Sequence, residues 1–214
     1  MCWPGAGGGA RRLVLASTSP RRRKMLNEAG VVHAAVSPGL DDAELGVGCG
    51  TARQWVCALA YLKAVAGFEA VARAGEDVRG VVVLGADTMV IKGERLYGKA
   101  RDEGEARRMI EEMEEAWHEV VTGVAVVEPL PQRRTVWFDA ARVWVGRIGR
   151  EVVAEYTAGG GWRGKAGAYN LEERVAAGWP IRWEGDPTTV MGLPMTRLIP
   201  QLRAMGLAGP GGAA

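Results

Sequence analysis

The chain has 214 residues, of which 48% are hydrophobic and 24% are charged, and its formal net charge at pH 7 is +2. This balance is typical of a folded globular protein, and so small a net charge does not favour nucleic acid or a membrane surface as a partner. The three cysteines form no Cys-x-x-Cys pair, so the sequence predicts neither a disulfide framework nor a thiolate metal site and favours a cytoplasmic protein.

The two ends of the chain differ in composition from its middle. The Gly-rich start predicts a flexible leader over residues 1–12, and the Gly- and Ala-rich end predicts a flexible tail over 208–214. No apolar run approaches the roughly 20 residues that span a bilayer, so no membrane segment is expected. Residues 13–207 are long enough to bury a substantial core as one domain or as two closely packed lobes.

The segment LASTSPRRRKML joins the first predicted strand to the first predicted helix. The strand ends at Ala16, Ser19 is a good N-cap, and Pro20 suits the first helical position. Four cations, Arg21 to Lys24, follow in the first turn, where they repel the positive end of the helix dipole. The segment therefore predicts a cradle for an anionic group such as phosphate, and the alternative is a solvated basic helix face.

A long helix and a buried strand come next in the chain. Apolar residues recur at helical spacing from Thr51 to Ala74, and Lys63 lies near the middle of that helix. The run VVVLGADTMVI predicts a buried strand that a polar turn interrupts at Gly85 to Thr88. The carboxylate of Asp87 must be hydrogen-bonded, metal-bound or functional to offset its desolvation, unless it only caps the turn. Taken alone, Lys63 predicts a side chain that snorkels to solvent.

The second half of the chain alternates helices with strands. A helix begins at Asp102 and carries a buried stripe at Ala106, Met109, Ile110 and Met113. The later predicted elements are a hairpin of strands at Glu119 to Val127 and Thr135 to Val145, a helix at Arg150 to Thr157, a strand at Ile181 to Trp183 and a helix after Pro194. This mixture of parallel-type and hairpin-type strands indicates the α/β class, with a mixed sheet covered by helices.

Three further segments carry residues that suit a phosphate or metal site. Asp41 and Asp42 lie in a Gly-flanked loop, where an acidic pair either forms a solvated turn or supplies oxygen ligands to Mg²⁺. The run KGERLYGKARD predicts a tight turn whose returning strand delivers Lys99. The loop RGKAGAYN has so little side chain that its backbone can approach a ligand closely. With only His33 and His118 in the chain, an imidazole zinc site is not expected.

Taken together, six segments resemble the Maf family of nucleoside triphosphate pyrophosphatases. They are LASTSPRR, GADT at Gly85 to Thr88, GKARD at Gly98 to Asp102, HEVVTGVAV at His118 to Val126, KAGAY at Lys165 to Tyr169, and VMGLP at Val190 to Pro194. They occur in the order and spacing of the family and cover residues 13 to 200. The resemblance therefore extends over nearly the whole predicted domain.

The resemblance implies a fold and an activity. The fold would be a two-lobed, mixed β-sheet covered by helices, with a central cleft, like that of Maf proteins and inosine triphosphatases, in one domain over 13–207. The activity would be hydrolysis of an NTP or dNTP to the monophosphate and diphosphate with Mg²⁺ or Mn²⁺, as house-cleaning of non-standard or modified nucleotides. The family is often dimeric, which allows a homodimer. The alternative is a nucleotide-binding regulator of septum formation with little turnover.

The resemblance also assigns roles to single residues. Asp87 matches the catalytic aspartate, thought to act as the base toward water, and Asp42 and Asp87 would hold the metal. The residues that would bind the substrate phosphates are Ser19, Arg21, Arg22, Lys63, Lys99 and Lys165. A triphosphate and its leaving pyrophosphate carry several negative charges, so dispersed cations and a metal suit this reaction.

Two departures from the family pattern affect these assignments. Asp42 stands where Glu is usual, and its shorter side chain reaches about one methylene less toward a metal. Glu114 and Glu115 replace the usual Ser-Gly before the His118 strand, which predicts an altered loop.

Three residues bear on the choice of nucleobase. Arg22 and Thr88 match the members that act on dTTP and UTP, whereas Glu172 replaces their Gln and is closer to the members that act on 7-methyl-GTP. An ionised glutamate only accepts hydrogen bonds, and a guanine edge offers two donors. We therefore expect a purine such as 7-methyl-GTP, or a mixed set of substrates.

Overall fold

The computed structural model describes residues 11–40, 50–129 and 132–209. The strands in these ranges are β1 Arg12–Ala16, β2 His33–Val36, β3 Val81–Lys92, β4 Arg95–Tyr97, β5 Ala116–Glu128, β6 Arg133–Val145 and β7 Ile181–Glu184. The helices are α1 Pro20–Glu28, α2 Ala52–Arg73, α3 Glu103–Met113, α4 Arg150–Ala158, α5 Leu171–Ala176, α6 Pro187–Met191 and α7 Met195–Ala204.

The strands form one mixed sheet. Its order is β2-β1-β3-β5-β6-β7, and β4 pairs with β3 outside this path. β1 runs parallel to β2 and β3, whereas β4 runs antiparallel to β3 and β7 antiparallel to β6. The parallel pairs need crossover connections, which α1 and α2 supply, and the antiparallel pairs are joined more locally. The predicted mixed sheet with helices is confirmed.

The chain divides into two compact units. The first unit comprises the described parts of Met1–Asp87, Gly123–Phe138 and Met195–Ala214, and the second comprises Thr88–Thr122 and Asp139–Pro194. The first unit has a core of small β-branched and alanine side chains from β1, β3, β5 and α2. The second has a core of larger side chains, which includes Met109, Ile110, Tyr156 and Trp179. Each unit therefore has its own hydrophobic core.

Helix α2 packs very closely on the sheet strands of the first unit. It begins with a capping box between Thr51 and Gln54. A Cβ added at Gly85 of β3 would lie 2.1 Å from the carbonyl oxygen of Ala60, and one at Gly123 of β5 would lie 2.3 Å from that of Val56. Only glycine permits this approach, so the glycines of the strands set the depth at which α2 lies.

Helix α2 is both long and apolar. The helix has 22 residues, and an 18-residue stretch within it has a mean hydropathy of 1.5, so by length and composition alone it could cross a membrane. The apolar character has another cause in this fold, because Val56, Leu59, Ala60 and Ala64 of the helix are buried in the first unit. A helix that packs on a sheet is apolar for the same reason as one that spans lipid.

One expectation about local structure was wrong, and two short helices were not predicted. β3 is continuous from Val81 to Lys92, so no polar turn interrupts it at Gly85 to Thr88. The short helices α5 and α6 were not predicted, because five or six residues show no helical periodicity. The sequence features that mark the starts of these helices are their N-cap residues, Asn170 and Asp186. The side chains of these residues accept hydrogen bonds from the N–H groups of Glu172 and Thr188.

Candidate active site

A buried ion pair lies between α2 and β3 in the first unit. The Lys63 ammonium donates to Oδ1 of Asp87 over 2.7 Å, and the side chains are 8% and 10% exposed. Lys63 lies on α2 where the helix packs against Gly85 of β3, and Asp87 lies two residues farther along that strand. Each charge offsets the desolvation of the other, which explains why a strand can carry a buried carboxylate without breaking. Lys63 therefore does not snorkel, and Asp87 does not cap a turn.

The turn that opens α1 reaches back to the same strand. The Ser17 hydroxyl accepts from the Ser19 N–H over 3.1 Å and from the Arg22 guanidinium over 3.4 Å. Arg22 also donates to the carbonyl of Ala86 over 2.8 Å. Since Ala86 precedes Asp87 in the chain, these bonds hold the Arg22 cation beside the strand residue that carries the carboxylate. Sequence reasoning missed Ser17, although it lies within the LASTSPRR motif.

Ser19 is the N-cap of α1, with Pro20 in the first helical position, as predicted. Its side chain makes no capping hydrogen bond to the helix, so the first N–H groups of α1 are not satisfied by that hydroxyl. Arg21 and Arg22 are half-buried, whereas Arg23 and Lys24 are exposed, and Lys24 pairs with Glu28 at 3.7 Å. Two of the four cations thus suit a phosphate cradle, and the other two form the solvated basic face.

In the second unit, Lys99 follows β4 and is exposed. Its backbone forms an antiparallel bridge with Ala166, and the Gly167 N–H donates to the Gly98 carbonyl over 3.0 Å. This pairing joins the GKARD and KAGAY segments, which lie far apart in the sequence. It places the backbone of Lys99 beside the residue that follows Lys165.

Lys165 itself is buried and forms an ion pair with Glu173. The other carboxylate oxygen of Glu173 accepts from the Asn170 side chain over 2.9 Å. Glu173 was not predicted as a site residue. The feature that could have identified it is its place as an acidic residue in the first turn of a helix capped by Asn170. The Lys165 charge is therefore balanced within the protein, while Glu172, one residue before Glu173, is exposed on α5.

His118 and Tyr169 are a buried pair in the second unit. His118 Nε2 lies 2.7 Å from the Tyr169 hydroxyl, and their rings meet edge to face. Burial, aided by the nearby Lys92 charge, lowers the pKa of His118 to about 4, and burial raises the pKa of Tyr169 well above its ordinary value. His118 is therefore neutral at pH 7 and has a structural role in the core of the second unit.

The predicted site residues fall into two groups within the described part of the chain. The first unit contains Ser19, Arg21, Arg22, Lys63 and Asp87, and the second contains Thr88, Lys99, Lys165 and Glu172. Asp42 lies outside the described residues. The contacts described above bring together Arg22, Lys63 and Asp87 in the first unit, and the segments of Lys99 and Lys165 in the second.

The described residues contain no group of three or more His, Cys, Asp or Glu side chains that could hold a metal by themselves. Asp87 still suits Mg²⁺, because this ion prefers carboxylate oxygens and is usually bound through one or two of them together with substrate phosphates. The donor set of the first unit therefore fits a metal that arrives with a triphosphate, and not a metal caged by protein alone.

The first unit also has an open cavity of about 610 Å³ away from these residues. It is lined by Thr51, Arg53, Gln54, Cys57, Val136, Trp137, Phe138 and Arg197. None of the predicted site residues lines it. The buried ion pair is therefore a better guide to the chemistry of this chain than this cavity.

Comparison with known proteins supports the sequence resemblance. The family model described as Maf-like protein matches residues 12–205. The dTTP/UTP pyrophosphatase of Pelotomaculum thermopropionicum is 35% identical over 92% of this chain and 97% of its own length. That of Hahella chejuensis is 35% identical over 93% and 94%, and that of Hyphomonas neptunium 36% identical over 92% and 97%.

A solved structure, that of the Staphylococcus aureus Ham1 protein, matches 63% of this chain and 72% of its own chain at 13% identity. The TM-score of 0.38 is too low for this likeness to bear on the fold or the activity.

Proposed function

The chain belongs to the Maf family, and we propose on this basis that it is a nucleoside triphosphate pyrophosphatase that releases a nucleoside monophosphate and diphosphate. Relatives that match more than nine-tenths of the chain carry the name dTTP/UTP pyrophosphatase. The observation that carries the proposal is the buried Lys63–Asp87 pair with Arg22 bound to the preceding carbonyl. A protein that only bound nucleotides would not need a buried carboxylate among these cations.

The proposed reaction is attack of water on the α-phosphorus. The water oxygen forms a bond to phosphorus, the bond from phosphorus to the bridging α,β-oxygen breaks, and Asp87 takes the proton of the water. Lys63 holds the carboxylate in place through the 2.7 Å hydrogen bond. The leaving diphosphate gains negative charge, which Arg21, Arg22 and the exposed Lys99 would stabilise.

Mg²⁺ or Mn²⁺ would be held by Asp87, with Asp42 as the second carboxylate in place of the usual Glu. When bound, the ion neutralises phosphate charge and polarises the oxygens around the reacting phosphorus. Ser19 would bind phosphate through its hydroxyl and through the N–H groups at the start of α1. Lys165 would contribute to phosphate binding by exchanging the Glu173 carboxylate for a phosphate oxygen.

For the base, two observations favour dTTP and UTP and one favours a guanine. The names of the relatives and the match at Arg22 and Thr88 point to dTTP and UTP. Glu172, which is exposed at the start of α5, points to a guanine such as that of 7-methyl-GTP. We propose dTTP and UTP as the preferred substrates, because the relatives match this chain over almost all of its length. The house-cleaning role and a cytoplasmic location are part of the same proposal.

A substrate panel tests the activity and the base together. The purified chain is incubated with Mg²⁺ and dTTP, UTP, CTP, GTP, ITP or 7-methyl-GTP, and diphosphate is measured separately from orthophosphate. We expect diphosphate without orthophosphate, fastest from dTTP and UTP. Faster release from 7-methyl-GTP would assign the base choice to Glu172. Binding of nucleotides without release of diphosphate would replace the enzyme proposal with the septum regulator.

A further inference from the structure

Hydrogen bonds connect Thr88, Thr122, Thr189 and Asp139 in the second unit. The Thr88 and Thr122 hydroxyls lie 2.9 Å apart, and the Thr122 hydroxyl lies 2.7 Å from the carbonyl oxygen of Thr189. The Thr189 hydroxyl donates in turn to the Asp139 carboxylate. Thr122 and Thr189 are 0% exposed. Buried hydroxyls of this kind have to be satisfied by protein groups, so their hydrogen bonds are fixed.

The direction of each of these hydrogen bonds follows from counting protons. A carbonyl oxygen cannot donate, so the single proton of the Thr122 hydroxyl belongs to its bond with Thr189. Thr122 can then only accept from Thr88, and the proton of the Thr88 hydroxyl is committed to that bond. Toward any other group, the Thr88 oxygen offers lone pairs and no proton.

The carbonyl that sets this direction is held by the VMGLP segment. The Thr189 carbonyl also accepts from the Gly192 N–H over 3.1 Å. Gly192 ends α6 in the left-handed region at a φ of 105°, a conformation that suits glycine. The Thr189 side chain is tied separately to Asp139. The backbone carbonyl and the side chain of Thr189 are thus both held by hydrogen bonds, which keeps the carbonyl directed at Thr122.

We propose that Thr122 is a positioning residue that makes Thr88 an obligate hydrogen-bond acceptor and thereby selects nucleobases with a ring N–H. This inference rests on the proposed function and on contact between Thr88 and the base. Uracil, thymine, guanine and hypoxanthine carry such an N–H beside a ring carbonyl, whereas cytosine and adenine have a bare ring nitrogen at the same place. A bare nitrogen facing the Thr88 lone pairs leaves both groups unsatisfied, so cytosine and adenine are disfavoured.

The selection concerns the ring nitrogen and is independent of base size. It therefore separates UTP from CTP among pyrimidines, and ITP from ATP among purines, whichever ring size the rest of the site prefers. The two nucleotides of each pair differ only in the edge of the base. Comparing their kcat/KM values therefore cancels any effect of a variant on binding of the triphosphate.

The test uses Thr122→Val, which keeps the shape of the side chain and removes its hydroxyl, with Thr122→Ser as the matched control. For each variant, kcat/KM for diphosphate release is measured with UTP, CTP, ITP and ATP. In Thr122→Val the Thr88 hydroxyl can rotate and donate, so we expect the UTP-to-CTP ratio to fall by about tenfold or more, mainly because CTP improves. Thr122→Ser should keep the ratio of the wild type. General damage to the fold cannot improve a substrate.

Three results would overturn the role of Thr122 while leaving the proposed function intact. They are diphosphate release by the wild type without preference for UTP over CTP, an unchanged ratio in Thr122→Val, and an equal loss in Thr122→Ser. If Thr122→Val does not fold, Thr88→Val removes the acceptor itself, and an unchanged UTP-to-CTP ratio in that variant would overturn the role as well. Absence of diphosphate from every nucleotide with the wild type would instead overturn the proposed function.

Discussion

Lys63 and Asp87 are buried side by side in the first unit, and each depends on the other for its charge. Replacing either one leaves an uncompensated charge in the interior, which typically destabilises a protein by about 3–5 kcal/mol. A variant of this pair therefore has to be tested for folding before its activity is interpreted. The sequence predicted both residues as candidates, but not their contact, because Lys63 and Asp87 are 24 residues apart.

The first prediction concerns Asp87→Asn. The variant should bind nucleotide, but its turnover should fall by at least about two orders of magnitude, because an amide cannot take the proton of the attacking water. Its thermal unfolding, followed by circular dichroism, should show a lower midpoint than the wild type. Asp77→Asn, which breaks a surface pair with Arg79, is the control and should change neither quantity. Near-normal turnover in Asp87→Asn would remove Asp87 from the mechanism.

The second prediction concerns the buried His118. Its pKa is about 4 in the folded protein and 6.5 as the ordinary value, so the unfolded chain takes up a proton at a higher pH than the folded one. The free energy of unfolding is therefore unaffected at pH 7 and falls by about 3 kcal/mol between pH 6.5 and 4 on account of this residue. Urea unfolding of the wild type and His118→Gln over this pH range measures the difference. Equal pH dependence of the two proteins would contradict the assignment.

The third prediction concerns Glu115, which replaces the usual glycine of the family. Its φ of 53° is in the left-handed region, and its exposed ion pair with Arg147 offsets little of that strain. Glu115→Gly should therefore stabilise the protein by up to about 1 kcal/mol. Glu151→Gly, in the first turn of α4, should have the opposite effect, because glycine is unfavourable in a helix. The midpoints of thermal unfolding of both variants are compared with that of the wild type. A midpoint below the wild type for Glu115→Gly would refute the predicted stabilisation.

At the scale of elements, the position of α2 over β3 and β5 determines where Lys63 lies. The strand glycines at 85 and 123 allow the helix backbone to approach within contact distance. Any added side chain at these places has backbone atoms as its nearest neighbours, so the whole helix has to move. The geometry of the site is therefore set by residues that carry no functional group.

The fourth prediction tests this dependence with Gly85→Ala. The added methyl would lie 2.1 Å from a helix carbonyl, so α2 must shift and the Lys63–Asp87 hydrogen bond must lengthen or break. We expect a loss of stability of about 1–3 kcal/mol and a clear fall in kcat. Gly104→Ala, at the start of α3 where the nearest atom lies at 3.4 Å, is the control; it should leave kcat unchanged and should not lower stability, because alanine is favourable in a helix. Full activity in Gly85→Ala would show that the helix position does not matter.

Much of the element level was predictable from the sequence. The apolar periodicity of α2 and α3 predicted helices that the structure confirms. The predicted hairpin of β5 and β6 is confirmed as a pair of neighbouring strands. The break predicted in β3 was wrong. The prediction assumed that a polar run interrupts a buried strand, but the charge of Asp87 is balanced by Lys63 of α2, a partner that the local sequence does not reveal. α5 and α6 escaped detection because they are shorter than two helical turns.

At the scale of the whole molecule, the small net charge conceals local concentrations of charge. Half-buried cations of α1, a buried lysine of α2 and the exposed Lys99 all lie on segments that the resemblance assigns to a triphosphate. The sequence indicated which residue types the site needs, but not which of them pair. Ser17 and Glu173 could not be chosen beforehand, since their roles depend on contacts made in the folded chain. The homodimer stays a prediction, which light scattering of the purified chain would test.

The proposed reaction directs water to the α-phosphorus of a nucleoside triphosphate. The most direct test is hydrolysis of UTP in water labelled with heavy oxygen, with mass spectrometry of both products. We expect one labelled oxygen in UMP and none in the diphosphate. Label in the diphosphate, or formation of UDP and orthophosphate, would place the attack at another phosphorus and contradict the proposed reaction.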